Sequence, residues 1–320
     1  MNKSYFLWPG NSFFRALRSL LYINSVVKIE AKLKEIFPSG YPVLCSSGRS
    51  ALALALIQNK VSRHDFIGVF PFANHCVLDI ISRFCSPLLG PDSVKVNFRI
   101  VHHQLGFVQE ENLRSNTIED CVDSLCVRGA KLFPGGGSFE IWSLPKVLGT
   151  TSGGVLWCRN KKDAVLARQT RDLRGGGMLP WLVRLFGKLY PHAYFYWQGA
   201  EGNLGRMSIW QTGEIYKSII NWDNFVIDRS KKLDMIWPYA VRWLKKPIER
   251  LPSAVPVELN IEEQFVKKFG VLSGYRMFEN INAIGKRKMK KVLPVPIHQD
   301  VPEFWINSFI NNFTLKKRKH

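Results

Sequence analysis

Carboxylates are scarce in this chain: 25 Asp and Glu stand against 45 Lys and Arg in 320 residues, a formal net charge of +20. Such a surplus suits anionic small molecules, an anionic membrane surface or nucleic acid, although the tail "LKKRKH" also reads as plain solvated surface. No zinc-finger, RRM or KH signature is present, which argues against nucleic acid. No apolar run approaches the roughly 20 residues of a spanning helix, so an integral membrane protein is excluded. The six cysteines (Cys45, Cys76, Cys85, Cys121, Cys126 and Cys158) form no CxxC. That argues against a zinc site or a disulfide framework and for buried thiols in a reducing cytoplasm. Arg15 and Arg18 interrupt the N-terminal apolar stretch, which therefore reads as an amphipathic helix and not a signal peptide. Internal repeats and low-complexity blocks are missing as well.

What is there is a chain 46% hydrophobic, enough for one large domain with an appendage or for two domains. Helical spacing over "SVVKIEAKLKEIF" is followed by the short strand "YPVLC" and a second helix in "SSGRSALALALIQ". "FIGVFPF" reads as a strand and "NHCVLDIISRF" as a helix, with "NTIEDCVDS" placing carboxylates beyond a further strand. "GSFEIWSL" and "GGVLWCR" read as strands, "KKDAVLARQTRDL" as an amphipathic helix ended by glycines. Strands alternating with helices predict an α/β domain with a mainly parallel sheet covered on both faces. "GRMSIWQTGEIYKSIINWDNFVIDRSKKLDMIW" predicts a long helix broken once. Prolines at 238, 247, 252 and 256 then mark a change, giving a large domain over 1–237 and a small α+β domain over 238–320. In the latter, "NIEEQFVKKF" and "PEFWINSFINNF" read as helices, and "LPVPIHQD", with His298, as the final strand.

Three short stretches carry chemistry. "SSGRSALALAL" opens a helix with small residues, so backbone N–H groups can approach an anion there, with Arg49 and Ser50 as added donors. "IEDCVDS" sets Asp120 and Asp123 near a strand end; on their own they could equally be a solvated turn or a helix cap. "IWSLPKVLGTTSGG" puts Lys146 three residues after Ser143 and seven before Gly153; taken alone it could be a loop lysine reaching into water. Adjacent His102 and His103 point to opposite faces of a strand and are read as surface, not as a metal pair.

In this order, together with "PFANHCVLDI", "LRGGG" and "GNLGRMSIWQTGEI", these stretches resemble the DegT/StrS family of pyridoxal-phosphate-dependent nucleotide-sugar aminotransferases. The resemblance runs over roughly residues 27–235. It implies PLP fold type I, the aspartate-aminotransferase-like fold, with pyridoxal 5'-phosphate as cofactor and a homodimer. It further implies that Lys146 carries the cofactor through its amine and then shuttles a proton, and that Asp120 pairs with the cofactor's ring nitrogen. Gly48, Arg49, Ser50 and Ser143 would hold the phosphate. His75 falls where the family stacks an aromatic ring, and reads alternatively as a core histidine. Asp123 stands where the family has glutamine, and Arg49 where it has threonine. Asn203 and Arg206 lie one residue closer together than the family's pair, which reaches the neighbouring subunit's site.

The expected activity is transfer of an amino group, with glutamate as donor, to a keto sugar, nucleotide-linked, for surface polysaccharide or lipopolysaccharide O-antigen synthesis. The alternative is a non-catalytic subunit or scaffold in polysaccharide assembly, suggested by the shortened C-terminal part. The stretch 178–199 looks inserted. Trp181, Leu185, Phe186, Leu189 and Tyr190 beside Arg184 and Lys188 suit a packed loop, a subunit contact or a membrane-surface helix. The protein is thus expected in the cytoplasm, with a peripheral contact at the inner membrane surface.

Overall fold

A computed structural model describes residues 4–10, 12–89, 96–109, 116–176, 201–258, 270–280 and 288–317, with Phe186 and Val266. The N-terminal segment leads into α1 (Phe13–Ser19) and a 3-10 turn (Leu20–Tyr22), then α2 (Val26–Ile36), β1 (Tyr41–Cys45) and α3 (Gly48–Gln58). β2 (Phe66–Val69), α4 (His75–Ser82), β3 (Ser86–Leu89), β4 (Phe98–His102), β5 (Thr117–Asp120) and β6 (Ser124–Cys126) follow. Then come β7 (Phe139–Ser143), α5 (Leu144–Leu148), β8 (Gly154–Cys158) and α6 (Lys161–Leu173). After a stretch outside the described residues, α7 (Ile209–Ile220), α8 (Trp222–Ile236), β9 (Arg250–Pro252), β10 (Ala254–Val257), β11 (Arg276–Asn280), β12 (Lys288–Pro296) and α9 (Glu303–Lys317) complete the order.

Seven strands form one sheet in the order β1-β8-β7-β5-β4-β2-β3. β3, β2, β4, β5 and β7 run parallel. β8 alone runs against its neighbours, pairing antiparallel with both β1 and β7. The apolar runs on the central strands explain their burial on both faces, Phe139–Trp142 and the whole of β8 being closed to solvent. One face carries a cluster with Trp142, Trp157, Trp222 and Phe37; the other carries α3, whose seven residues from Ser50 to Leu56 are all buried. A helix apolar all round belongs in a core, and α3 occupies one.

A three-stranded sheet, β10-β12-β11, forms in the C-terminal part. The proline-marked change at 237/238 falls in the 3-10 turn Trp237–Tyr239. The two parts are tied by β6–β9 pairing and by buried Glu140, whose carboxylate accepts from Arg250 at 2.8 and 3.0 Å. The long helix breaks at Asn221, between α7 and α8. His298 is not in the final strand: β12 ends at Pro296, and buried His298 donates from Nε2 to Phe6 O in the turn beyond. All six cysteines are free thiols, five of them buried.

Candidate active site

Lys146 is set by its flanks. β7 ends at Ser143, Pro145 opens the one-turn helix α5, and Gly149 closes it with φ 72°. Glycine is needed there for conformation and for space, since a Cβ would meet Pro9 Cβ at 2.8 Å. That close approach brings the N-terminal segment across the lysine. Trp8 lies with its ring 4.1 Å from Lys146 Nζ and donates from Nε1 to Asp123 Oδ1 at 2.7 Å. The same oxygen is 3.3 Å from Lys146 Nζ. Amine, indole and carboxylate thus form one closed contact.

Asp120 ends β5, and His102 sits opposite it on β4. His102 Nδ1 lies 3.2 Å from Asp120 Oδ2. Burial alone would push the Asp120 carboxyl up. His102, Lys146 and the Val122 N–H together outweigh it and hold the carboxyl below its ordinary value. Burial would likewise push His102 down, but Asp120 and Asp123 raise it above the usual histidine range. Lys146 therefore belongs to the same electrostatic cluster as both aspartates.

A cradle lies at the start of α3. Ser47 caps that helix, its hydroxyl accepting from Ser50 N and its carbonyl from Ala51 N. The N–H groups of Gly48 and Arg49 belong to the first turn, where a helix has no acceptor of its own to offer. A Cβ on Gly48 would meet Ser143 Cβ at 3.2 Å, and one on Gly154 would intrude on the Ser47 carbonyl. Only glycine therefore lets α3, Ser143 and the start of β8 converge. The loop after Lys146 is held from α7: Glu214 accepts from the Thr151 hydroxyl at 2.7 Å and from its N–H, and Gln211 donates to the Ser152 hydroxyl.

The other expected contacts are exposed or already engaged. The Arg49 guanidinium pairs with Glu201 at 2.6 Å, and the Ser50 hydroxyl donates to Leu204 O. Arg49 thus offers the cradle its backbone and not its side chain, and the Ser50 N–H is already donated to the Ser47 hydroxyl. His75 is exposed at the first turn of α4 and is no core histidine. Asn203 is exposed and accepts from Arg83 at 3.2 Å; Arg206 pairs with Asp172 at the surface.

The surface reading of His102 and His103 is corrected. They do face opposite ways, but His102 joins Asp120, and His103 is buried, its Nδ1 accepting from Gln109 N and its Nε2 donating to Glu119. His103, Glu119 and Cys121 lie within metal-binding range of each other. Glu119 also accepts from Gly135 N and Gly137 N, so two of the three groups are already engaged within the protein. Trp8 carries no signal in the sequence; His102 is read there only as surface, and Gln211 and Glu214 stand inside "GNLGRMSIWQTGEI" with no role of their own. The segment 178–199 lies outside the described residues except Phe186.

The set of groups fits pyridoxal phosphate: a cradle that added Cβ atoms would fill, first-turn N–H groups with a serine hydroxyl for a phosphate, and an amine beside two carboxylates. The seven-stranded sheet, with its single reversed strand, is the fold type I aminotransferase fold. A family model described as "Putative PLP-dependent aminotransferase" matches residues 29–316, and the chain belongs to that family. It is a pyridoxal-phosphate-dependent transaminase. No curated protein sequence matches the chain. Among solved structures, it is similar in fold to "Putative sugar aminotransferase Spr1654 from Streptococcus pneumoniae, apo-form" (TM-score 0.66, 13% identity, 100% of this chain and 98% of that one). An aminotransferase from Psychrobacter cryohalolentis (0.64, 16%, 98% of each) and the sugar aminotransferase CalS13 from Micromonospora echinospora (0.63, 14%, 96% and 98%) are similar as well.

Proposed function

We propose that the protein aminates a keto sugar, nucleotide-linked, with glutamate as donor, for surface polysaccharide assembly. The observation that carries this reading is the Lys146–Asp123–Asp120–His102 cluster beside a glycine-lined anion cradle. The sugar aminotransferases among its structural neighbours support the substrate class, and the charge of +20 suits a diphosphate-bearing substrate.

Pyridoxal phosphate, when bound, supplies an aldehyde that takes up an amine and a ring that accepts the electron pair left by a departing proton. The Gly48 and Arg49 N–H groups with the Ser143 hydroxyl would hold its phosphate. Lys146 would bind it and afterwards carry the proton, its nitrogen oriented by Asp123 and Trp8. Asp120, kept ionised by His102, would face the ring nitrogen. His75 would line the cofactor's other side, and Asn203 would serve the neighbouring subunit of a homodimer.

Purified protein should absorb in the visible, and Lys146→Ala should abolish the band while leaving the fold intact by circular dichroism. A mass shift of keto-sugar nucleotides incubated with glutamate tests the substrate. A wild type that stays colourless with added cofactor contradicts the Lys146 assignment; a coloured enzyme that shifts no sugar contradicts the substrate class.

A further inference from the structure

Helix α1 is inside out. It turns its small residues inward: Ala16 and Ser19 are buried, and Gly213 of α7 packs against Ser19 O so closely that no side chain would fit. Its large residues face water, with Phe14 70%, Leu17 50% and Leu21 89% exposed. These three sit at i, i+3 and i+7, one stripe of a helix and its 3-10 extension. An apolar stripe on a solvent face marks an interaction surface.

Charge says what covers it. Glu30, which is buried, is the first carboxylate in the chain; before it stand Lys3, Arg15, Arg18 and Lys28. Arg15 turns aside to Asp300, while Arg18 is exposed beside the stripe and Lys28 is exposed on α2. Phe13 meets Phe186 with ring centroids 6.2 Å apart, and Phe186 belongs to a second stretch, from Asp172 to Glu201, with no acid between its ends. A second copy across a two-fold axis would set the exposed Arg18 against its own copy, with no carboxylate in α1 or its 3-10 extension to pair it. An anionic lipid surface answers both features, taking the apolar stripe into the headgroup boundary and the cations against phosphate.

We propose that the α1 stripe is a docking surface for anionic membrane. A protein of this net charge adheres to anionic vesicles through charge alone, so the test keeps charge constant. The full-length protein is floated with vesicles of phosphatidylcholine alone and of phosphatidylcholine with about one-third phosphatidylglycerol, beside the Phe14→Ser/Leu21→Ser double variant. Wild type should partition to the anionic vesicles and little to the neutral ones. The variant, with unchanged melting temperature and cofactor absorbance, should partition about tenfold less. Equal partition of wild type and variant, or no partition of wild type, overturns the proposal. So does sedimentation showing a wild-type oligomer that the variant reduces to a smaller species, since the stripe would then be a contact between copies. None of these readouts depends on the sugar substrate.

Discussion

Asp120 and His102 illustrate how a buried charge is kept at the level of single residues. The carboxyl is held below its ordinary 3.8 and the imidazole above its ordinary 6.5. A lowered acid stabilises the fold above its unfolded value and loses that contribution as pH falls through the folded one. A raised base stabilises below its unfolded value and loses it as pH rises through the folded one. The pair therefore helps most between 3.8 and 6.5. His102→Gln should cost about 1–3 kcal/mol in urea unfolding near the middle of that window, and the deficit should shrink towards pH 9. A deficit independent of pH would mean the histidine acts by packing alone. Trp8→Phe keeps a ring over Lys146 but removes the N–H that pins Asp123. It should lower kcat/KM about tenfold and leave the melting temperature near wild type. That Lys146 and Asp120 stand near strand ends was legible in the local pattern, which alone left a loop lysine and a solvated turn open; only the family resemblance set the two together. Trp8 was not legible, because its partner Asp123 lies 115 positions away and no local periodicity records such a contact.

Secondary elements were read best where the hydrophobic signal was continuous. "YPVLC", "SALALAL" and "GGVLWC" became β1, α3 and β8, and the break in the long helix fell at Asn221. The reversed direction of β8 was not legible, since an apolar run buried on both faces carries no sign of orientation. His298 was misassigned because "LPVPIH" stays apolar past the point where pairing with β10 stops, at Pro296. Gly154 joins these elements: its missing side chain lets β8 start against the Ser47 carbonyl at the mouth of α3. Gly154→Ala should destabilise by about 2–3 kcal/mol, because the atom in the way is backbone and not a flexible side-chain tip. Cofactor affinity, followed by titrating the apo-protein, should weaken with it. A variant as stable as wild type would show that the junction can shift.

Across the whole molecule, the division into a large sheet and a smaller C-terminal one could be anticipated from alternating elements and the proline cluster. How the two are fastened could not, because β6–β9 pairing and a buried ion pair join residues far apart in the sequence. Glu140 on β7 meets Arg250 on β9, both closed to solvent. Burial pushes the Glu140 carboxyl up, and Arg250 with the Phe133 and Trp142 donors brings it below its ordinary 4.5. Arg250→Met leaves that charge unpaired and should cost about 3–5 kcal/mol near neutral pH. The gap to wild type should narrow as pH falls below 4.5.

The two extremities of the described chain meet beside Lys146. Phe6 accepts from His298, and both Gly10 N and Arg15 bond Asp300, on either side of Trp8. The order of synthesis follows from this. During translation Trp8 leaves the ribosome long before His298 and Asp300, the groups that clasp its segment. The sheet and cradle can assemble on a growing polypeptide while the indole that closes over the lysine has Asp123 but not the clasp on its flanks. Cofactor capture in its final form thus waits for residues 298–300, and ribosome-stalled chains ending before position 298 should bind it loosely.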